Sequence, residues 1–325
     1  MRAAVLRSHG TTPEYADHPD PAPAEGSSLV RVTAAPVAPL DLLCATGTSY
    51  FGRRATPYVP GVQGVGEVLT SASVAPGIRV FFPTSAGMVD VDGSLAELCV
   101  VPTVDLVPLE TEVPDTTVAA LGLSAVAAWM ALSWRAELRP GERVVVLGAG
   151  GAVGQAAIGA AHVLGASRVV AVCRPGAAVD RARDRGADAV VPLPVEPDAG
   201  ALVAALTDAL DGQADLVLDP VFGWVAAAAT QVLAAGGRLV NLGGSAGDGA
   251  EFSSAGLRGR SLSLLGYTNN AIDAAQRAEA LRSILGHAEQ GRIAVEHRVR
   301  PLADVSVVWE ELAVGSTYVR QVLVP

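Results

Sequence analysis

From residue 143 onward, short apolar runs alternate with alanine-rich segments of helical length. The runs are RVVVLG (143–148), RVVAVC (168–173), DAVVPL (188–193), DLVLDP (215–220), GRLVNLG (237–243) and SLSLLGY (261–267). An antiparallel pair can be joined by a tight turn, whereas a parallel pair needs a long crossover, usually a helix. The first five runs lack the polar alternation of a strand with one wet face, so they read as strands buried on both faces. Six such strands with helices between them predict an α/β fold: a doubly wound parallel sheet that binds a nucleotide.

The N-terminal third has another texture. LVRVTAAPVAP (29–39), GVGEVLT (64–70), IRVFFPT (78–84) and LAELCVVP (95–102) are short strand-like runs with turn residues between them. They predict an antiparallel β domain. TVAALGLSAVAAWMALSW (117–134) has helical length and small residues that allow close packing. After 268 come a helical segment (271–290) and a closing run, YVRQVLVP (318–325), whose texture matches the first segment. A chain of 325 residues suits two domains. The predicted division is a β domain built from 1–118 and 269–325, with an α/β domain, 119–268, inserted in it.

The turn after the first parallel strand is GAGGA, followed by VGQAAIGAAHVLG (153–165), a helix. Strand, glycine turn and helix in that order form the setting of a phosphate site, because the helix N-terminus presents free N–H groups and the positive end of its dipole. Two registers fit: Gly148, Gly151 and Gly154, or an offset pair with Gly150 in which the third glycine falls one place late. The first is favoured. Gly148, Ala149, Gly151, Ala152, Val153 and Gly154 are the candidate phosphate-binding residues. A strand-end acid near the next turn would bind a ribose 2′-hydroxyl. Nineteen residues beyond Gly154 stands Cys173, followed by Arg174. A neutral residue followed by a planar cationic fork fits a 2′-phosphate, so the expected cofactor is NADPH. Cys173 reads as a packing residue.

Composition narrows the chemistry. All 23 basic residues are Arg, so no lysine Schiff base or lysine acid is available. A net charge of −10 speaks against nucleic acid as a partner. Cys44, Cys99 and Cys173 lie far apart, which suits a reducing compartment rather than a disulfide framework. No uninterrupted apolar run of spanning length stands out, and MRAAVLRSHG lacks a signal-peptide core. The expectations are a cytoplasmic location, no membrane partner and a small-molecule substrate. His9, His18, His162, His287 and His297 show no ligand spacing and read as structural or surface residues.

A family resemblance rests on APLD (38–41), YVPGVQGVGEV (58–68), GLSAVAAWMAL (122–132), GAGGAVGQAA (148–157), DLVLDPVFG (215–223), GGRLVNLGG (236–244), LRGRSLSLLGY (257–267) and PLADVSVVWEEL (301–312). In this order and spacing, the chain resembles the zinc-independent quinone oxidoreductases of the medium-chain dehydrogenase/reductase superfamily over nearly its full length. The resemblance implies a Rossmann domain inserted in a GroES-like β domain, and a homodimer paired through the edge strand 261–267. It implies that Leu242, Gly243 and Gly244, ending the fifth strand, face the nicotinamide. It places Pro220 and Val221, ending the fourth strand, near the cofactor, and Arg320 as a candidate for the pyrophosphate. Where zinc-dependent relatives carry a Cys three residues before the Asp of APLD, this chain has Ala38; their Gly-His-Glu is Gly61-Val62-Gln63. Ala and Val cannot coordinate zinc, so no metal is expected.

Without zinc or lysine, an acceptor that delocalises its own charge suits the chain best: a quinone or an α,β-unsaturated carbonyl. Tyr50, in GTSYFG (47–52), matches a Gly-x-Tyr element that carries a proposed proton donor in related enoyl reductases; the alternatives are that it lines an aromatic pocket with Phe51, or that the proton comes from water. Arg53 and Arg54 read as an exposed pair, and Asp41 as structural. Two departures stand out. A family Asn beside the nicotinamide is Ala38, and a family Thr in the helix before the Rossmann domain is Ala127. They leave two alternatives open: a pathway-specific enoyl reductase, or a non-catalytic NADPH-binding protein.

Overall fold

Alternation of buried and half-buried residues along Ser27–Pro36 is what a half-buried strand requires, and it forms the spine of the first unit. The computed structural model describes residues 1–315 and 319–325. It divides the chain into one unit of Met1–Leu123 with Glu296–Pro325, and a second of Ser124–Val295. The N-terminal segment contains β1 (Arg2–Val5), β2 (Glu14–Asp17), β3 (Ser27–Pro36), α1 (Pro39–Thr46), β4 (Gln63–Thr70), β5 (Arg79–Pro83), β6 (Leu98–Pro102) and β7 (Val107–Pro108). β3 pairs antiparallel with both β4 and β6, and β5 lies between β4 and β7. Val30, Val68, Val80, Phe82 and Leu95 are fully buried in its core, each burial stabilising by about 1.5–3 kcal/mol.

α2 (Asp115–Met130) is broken at Gly122, where φ is +31°. A Cβ there would lie 2.3 Å from Gln63 Oε1, and the same oxygen accepts the Leu123 N–H. The segment Asp115–Arg135 is long and apolar enough to cross a membrane by composition, and 67% of its most apolar stretch is buried inside the protein.

The second unit alternates β8 (Arg143–Leu147), α3 (Ala152–Val163), β9 (Arg168–Cys173), α4 (Ala177–Asp184), β10 (Ala189–Pro192), α5 (Ala199–Leu210), β11 (Ala214–Asp219), α6 (Gly223–Ala229), β12 (Leu233–Asn241), α7 (Ser254–Gly259), β13 (Ser263–Gly266) and α8 (Ala274–Ala288). The strands are all parallel, in the order β10-β9-β8-β11-β12-β13. This is the doubly wound sheet expected from the apolar runs. The four inner strands carry the fully buried valines and leucines, such as Val144–Val146 and Leu216–Leu218. β10 differs from the expectation of full burial: it is an edge strand, and Ala189 and Val190 are only half-buried. Asp198 caps α5 by accepting the Ala201 N–H at 2.9 Å, and Leu202, Leu206 and Leu210 recur every fourth residue on its buried face.

The C-terminal segment adds β14 (His297–Pro301), α9 (Val305–Ala313) and β15 (Arg320–Val324). β15 pairs antiparallel with β3 and parallel with β14, so both chain ends build one β unit, as the matching textures predict. The GroES-like and Rossmann architecture is present. The boundaries differ from 1–118, 269–325 and 119–268, because 269–295 packs with the second unit. Gly159 shows why. A Cβ there would meet the Arg292 carbonyl oxygen at 2.2 Å, so this helical glycine lets the segment after α8 lie directly on α3. The Trp129 and His287 rings, 5.7 Å apart, add a second contact.

Candidate functional site

In the second unit, β8 ends in Leu147 and the chain turns through Gly148, which has φ +62°. That conformation favours glycine, and a Cβ would also strike Val221 Cγ2 at 2.9 Å. Ala149 is fully buried and its N–H is spent on Val172 O at 2.9 Å. Gly151 is the N-cap of α3 and supplies no side-chain cap. The first-turn N–H groups of Ala152, Val153 and Gly154 therefore face outward from an uncapped helix end, as an anion site requires. A Cβ on Gly151 would meet only Gly148 O at 3.5 Å, whereas one on Gly154 would meet that oxygen at 2.4 Å. Gly151 thus leaves space for a ligand, and Gly154 permits close packing of helix on turn. Gly150 matters for another reason: a Cβ there would lie 2.5 Å from Ala178 Cβ, so it seats α4 against the turn. This cradle fits a pyrophosphate.

The next strand brings positive charge beside this turn. Arg174 follows β9 and is exposed. Sequence reasoning missed Arg181, whose Nε donates to Gly150 O at 3.1 Å and so stands against the phosphate turn. Burial pushes the Cys173 thiol up to about 11, with Arg181 and Arg183 pulling the other way. Cys173 is therefore a protonated packing residue, and the two guanidiniums lie near enough to act on it. The signal for them was the arginine spacing in RARDR (181–185).

Pro220 and Val221 follow β11, and Leu242, Gly243 and Gly244 follow β12; the structure brings these two turns together. Leu242 N donates to Asp219 O at 2.9 Å and Ala246 N to Val221 O at 2.8 Å. A Cβ on Gly243 would meet Pro220 O at 2.8 Å. Asp219 and Asn241, which sequence reasoning passed over, fix the arrangement. Asp219 Oδ1 accepts the N–H groups of Val221 and Phe222 at 2.9 and 2.7 Å, and Asn241 Nδ2 donates to Asp219 Oδ2 at 3.1 Å and to Gly243 O at 2.7 Å. Burial raises the Asp219 carboxyl above its ordinary range, against these hydrogen bonds.

In the first unit, Asp41 is buried at the start of α1. It accepts from Ala38 N at 2.7 Å, Gly61 N at 3.0 Å and Val62 N at 2.9 Å. Burial pushes its carboxyl up to about 6, opposed by those three N–H groups and by the Arg320 guanidinium. Arg320 is itself inside this unit, donating from Nη1 to Val37 O at 3.1 Å. Burial brings it down to about 10, opposed by Asp41. The residue taken as a pyrophosphate candidate thus has structural partners within the first unit.

Tyr50 lies in the turn after α1, 79% exposed, with its ring centroid 4.2 Å from that of Phe51. Partial burial, then Cys44, raises its hydroxyl above the ordinary range. Arg54 departs from the exposed pair expected with Arg53: it is half-buried and donates to Phe51 O at 2.6 Å.

A family model described as zinc-binding dehydrogenase matches residues 152–285, and one described as alcohol dehydrogenase GroES-like domain matches residues 24–111. The chain is 30% identical to quinone oxidoreductase-like protein 2 of Bos taurus over 264 residues, 78% of this chain and 72% of the relative. It is 35% identical over 159 residues to a zinc-type alcohol dehydrogenase-like protein of Schizosaccharomyces pombe. That match covers 49% of this chain and 48% of the relative, so it spans about half the relative's length. Among solved structures, the quinone oxidoreductase of Thermus thermophilus, determined also in complex with NADPH, superposes with a TM-score of 0.83. It shares 29% identity, with 100% of both chains covered.

The residues around Asp41 do not fit the zinc in the family model's description. Its three backbone donors come from Ala38, Gly61 and Val62, and the Gln63 amide oxygen holds the Leu123 N–H. Among the described residues, no three His, Cys, Asp or Glu side chains gather closely enough to hold a metal ion. On the bovine relative, the paired family matches and the full-length likeness, the chain belongs to the medium-chain dehydrogenase/reductase superfamily of oxidoreductases, alongside the quinone oxidoreductase-like proteins.

Proposed function

We propose that the protein is an NADPH-dependent, zinc-free reductase of quinones or α,β-unsaturated carbonyls. The observation that carries this reading is the environment of Asp41. Side chains able to bind zinc are replaced by Ala38 and Val62, and the Asp41 carboxylate is spent on three backbone N–H groups. A saturated ketone would leave an alkoxide needing a Lewis acid, whereas a conjugated acceptor spreads the charge over its own framework.

When bound, the nicotinamide supplies a hydride. The chain's residues bind and orient. The uncapped N-terminus of α3 takes the pyrophosphate, with Gly151 leaving room for it. Arg174 takes the 2′-phosphate, supported by the positive field of Arg181 and Arg183 near the end of β9. The turns after β11 and β12, locked by Asp219 and Asn241, hold the nicotinamide side. Tyr50, exposed in the turn after α1, supplies the proton to the reduced acceptor from a phenolic hydroxyl that is protonated at neutral pH as any ordinary tyrosine is. A second copy of the chain is the partner proposed for β13, an edge strand whose Leu264 is 40% exposed.

NADPH carrying deuterium at the transferable C4 position tests the reading. With an enone, the label is expected on the carbon β to the carbonyl. Label at the carbonyl carbon, or no transfer to any conjugated acceptor, contradicts it.

A further inference from the structure

His9 lies in the loop between β1 and β2, far in sequence from Tyr50, yet its ring touches both ends of the Tyr50 segment. Nδ1 faces Ala45 O, near the end of α1, at 3.3 Å. Nε2 faces Arg54 O, where the segment leaves the turn, at 2.8 Å. Gly47 makes room for the ring: it has φ +73°, and a Cβ on it would lie 2.9 Å from His9 Cγ. Gly10 N donates to the same Ala45 oxygen at 2.9 Å, which fixes the backbone carrying the imidazole. Within the segment, Gly52 N donates to Ser49 O at 2.9 Å and Arg54 Nη2 to Phe51 O at 2.6 Å.

Both of the oxygens facing His9 are carbonyls, which only accept. Each contact therefore needs a hydrogen on the nitrogen that meets it. A neutral imidazole carries one and can close one end. The imidazolium carries two and closes both, with charge-assisted bonds about twice as strong as neutral ones. Losing the Nδ1 contact leaves Ala45 O to the Gly10 N–H, and losing the Nε2 contact removes the ring's hold on Arg54 O, where the segment leaves the turn.

We propose that His9 is a positioning residue: it clamps the base of the loop 46–54 and thereby fixes where Tyr50 presents its hydroxyl. The inference rests on the reductase reading for its effect on rate, and on the two carbonyl contacts for the clamp itself. A misplacement of about 1 Å in a reacting group can cost up to about a hundredfold in rate, so a loosened loop acts on turnover before it acts on cofactor binding.

The test compares His9→Ala, His9→Gln and His9→Asn in the full chain. Two measurements are made: hydrogen exchange of the loop amides, and steady-state reduction of an enone with NADPH. His9→Ala is expected to speed exchange at residues 48–54 about tenfold and to lower kcat about tenfold, with the NADPH Kd changed less than about twofold. Gln places its amide N–H near the Nε2 position and should restore most of both. Asn reaches only toward Ala45 O and should restore less. Unchanged loop exchange in His9→Ala overturns the clamp, as does faster exchange with unchanged kcat. If His9→Ala does not fold, equal exchange and turnover in Gln and Asn overturn it. If the unaltered protein reduces no enone, the reductase reading fails on its own, and loop exchange still decides the clamp.

Discussion

Asn241 Nδ2 donates to Asp219 Oδ2 at 3.1 Å, joining the ends of two neighbouring parallel strands just where their turns carry Pro220, Val221, Leu242 and Gly243. Asp219→Ala removes the acceptor of the buried Val221 N–H and of the Phe222 N–H. It should destabilise the protein by about 1–3 kcal/mol in chemical denaturation and weaken NADPH binding about tenfold. A folded variant with unaltered NADPH affinity would detach these turns from the cofactor.

The glycines of the turn should separate by role. Gly154→Ala drives a Cβ to 2.4 Å from Gly148 O, backbone that cannot swing aside, so a loss of about 1–3 kcal/mol in stability is expected together with loss of NADPH binding. Gly151→Ala meets nothing closer than 3.5 Å, so its melting temperature should hold while NADPH binding falls at least about tenfold. Calorimetry and fluorescence titration of both variants check the contrast.

Arg174→Ala should raise the KM for NADPH about tenfold or more and leave that for NADH within about twofold, because only the former carries the 2′-phosphate. Equal changes for both cofactors would remove Arg174 from that role. Arg181→Ala should show the same asymmetry more weakly, since its Nε is committed to Gly150 O.

A pH dependence follows from Glu142 and Arg238, which form a two-pronged pair at 2.6 and 2.9 Å in the second unit. Burial raises the Glu142 carboxyl, but the Arg238 pair and the Arg139 N–H outweigh it and leave it below the ordinary range. A carboxyl depressed in the folded state stabilises above its unfolded value, about 4.3, and that stabilisation is lost as pH falls through the folded value. Denaturation from pH 7 down to pH 3 should show Glu142→Gln less stable at neutral pH, with the gap closing under acid. A gap constant with pH would contradict the pairing.

The fold was legible because its strongest signal is local. Runs such as RVVAVC coincide with β9, residue for residue, and the strand–turn–helix order located the phosphate cradle. Domain boundaries were less legible. The contact of Gly159 with Arg292 is made across more than a hundred residues, and a glycine within an alanine-rich helix does not announce its neighbour. Arg320 shows another limit: a terminal arginine in a strand looks the same whether it meets a phosphate or, as here, donates to Val37 O within the field of the Asp41 carboxyl. Asp219 and Asn241 were hidden by their strands, whose apolar character explained them well enough without a role for the polar ends.

Reduction of a conjugated carbonyl without metal is tested most directly by NADPH consumption with matched acceptors, such as a quinone, an enone and the saturated ketone of the same skeleton, with and without a chelator. The expected result is turnover of the quinone or the enone, at least about a hundredfold slower reduction of the saturated ketone, and no loss of rate with the chelator. Faster reduction of the saturated ketone, or activity abolished by chelation and restored by zinc, would contradict the proposed chemistry.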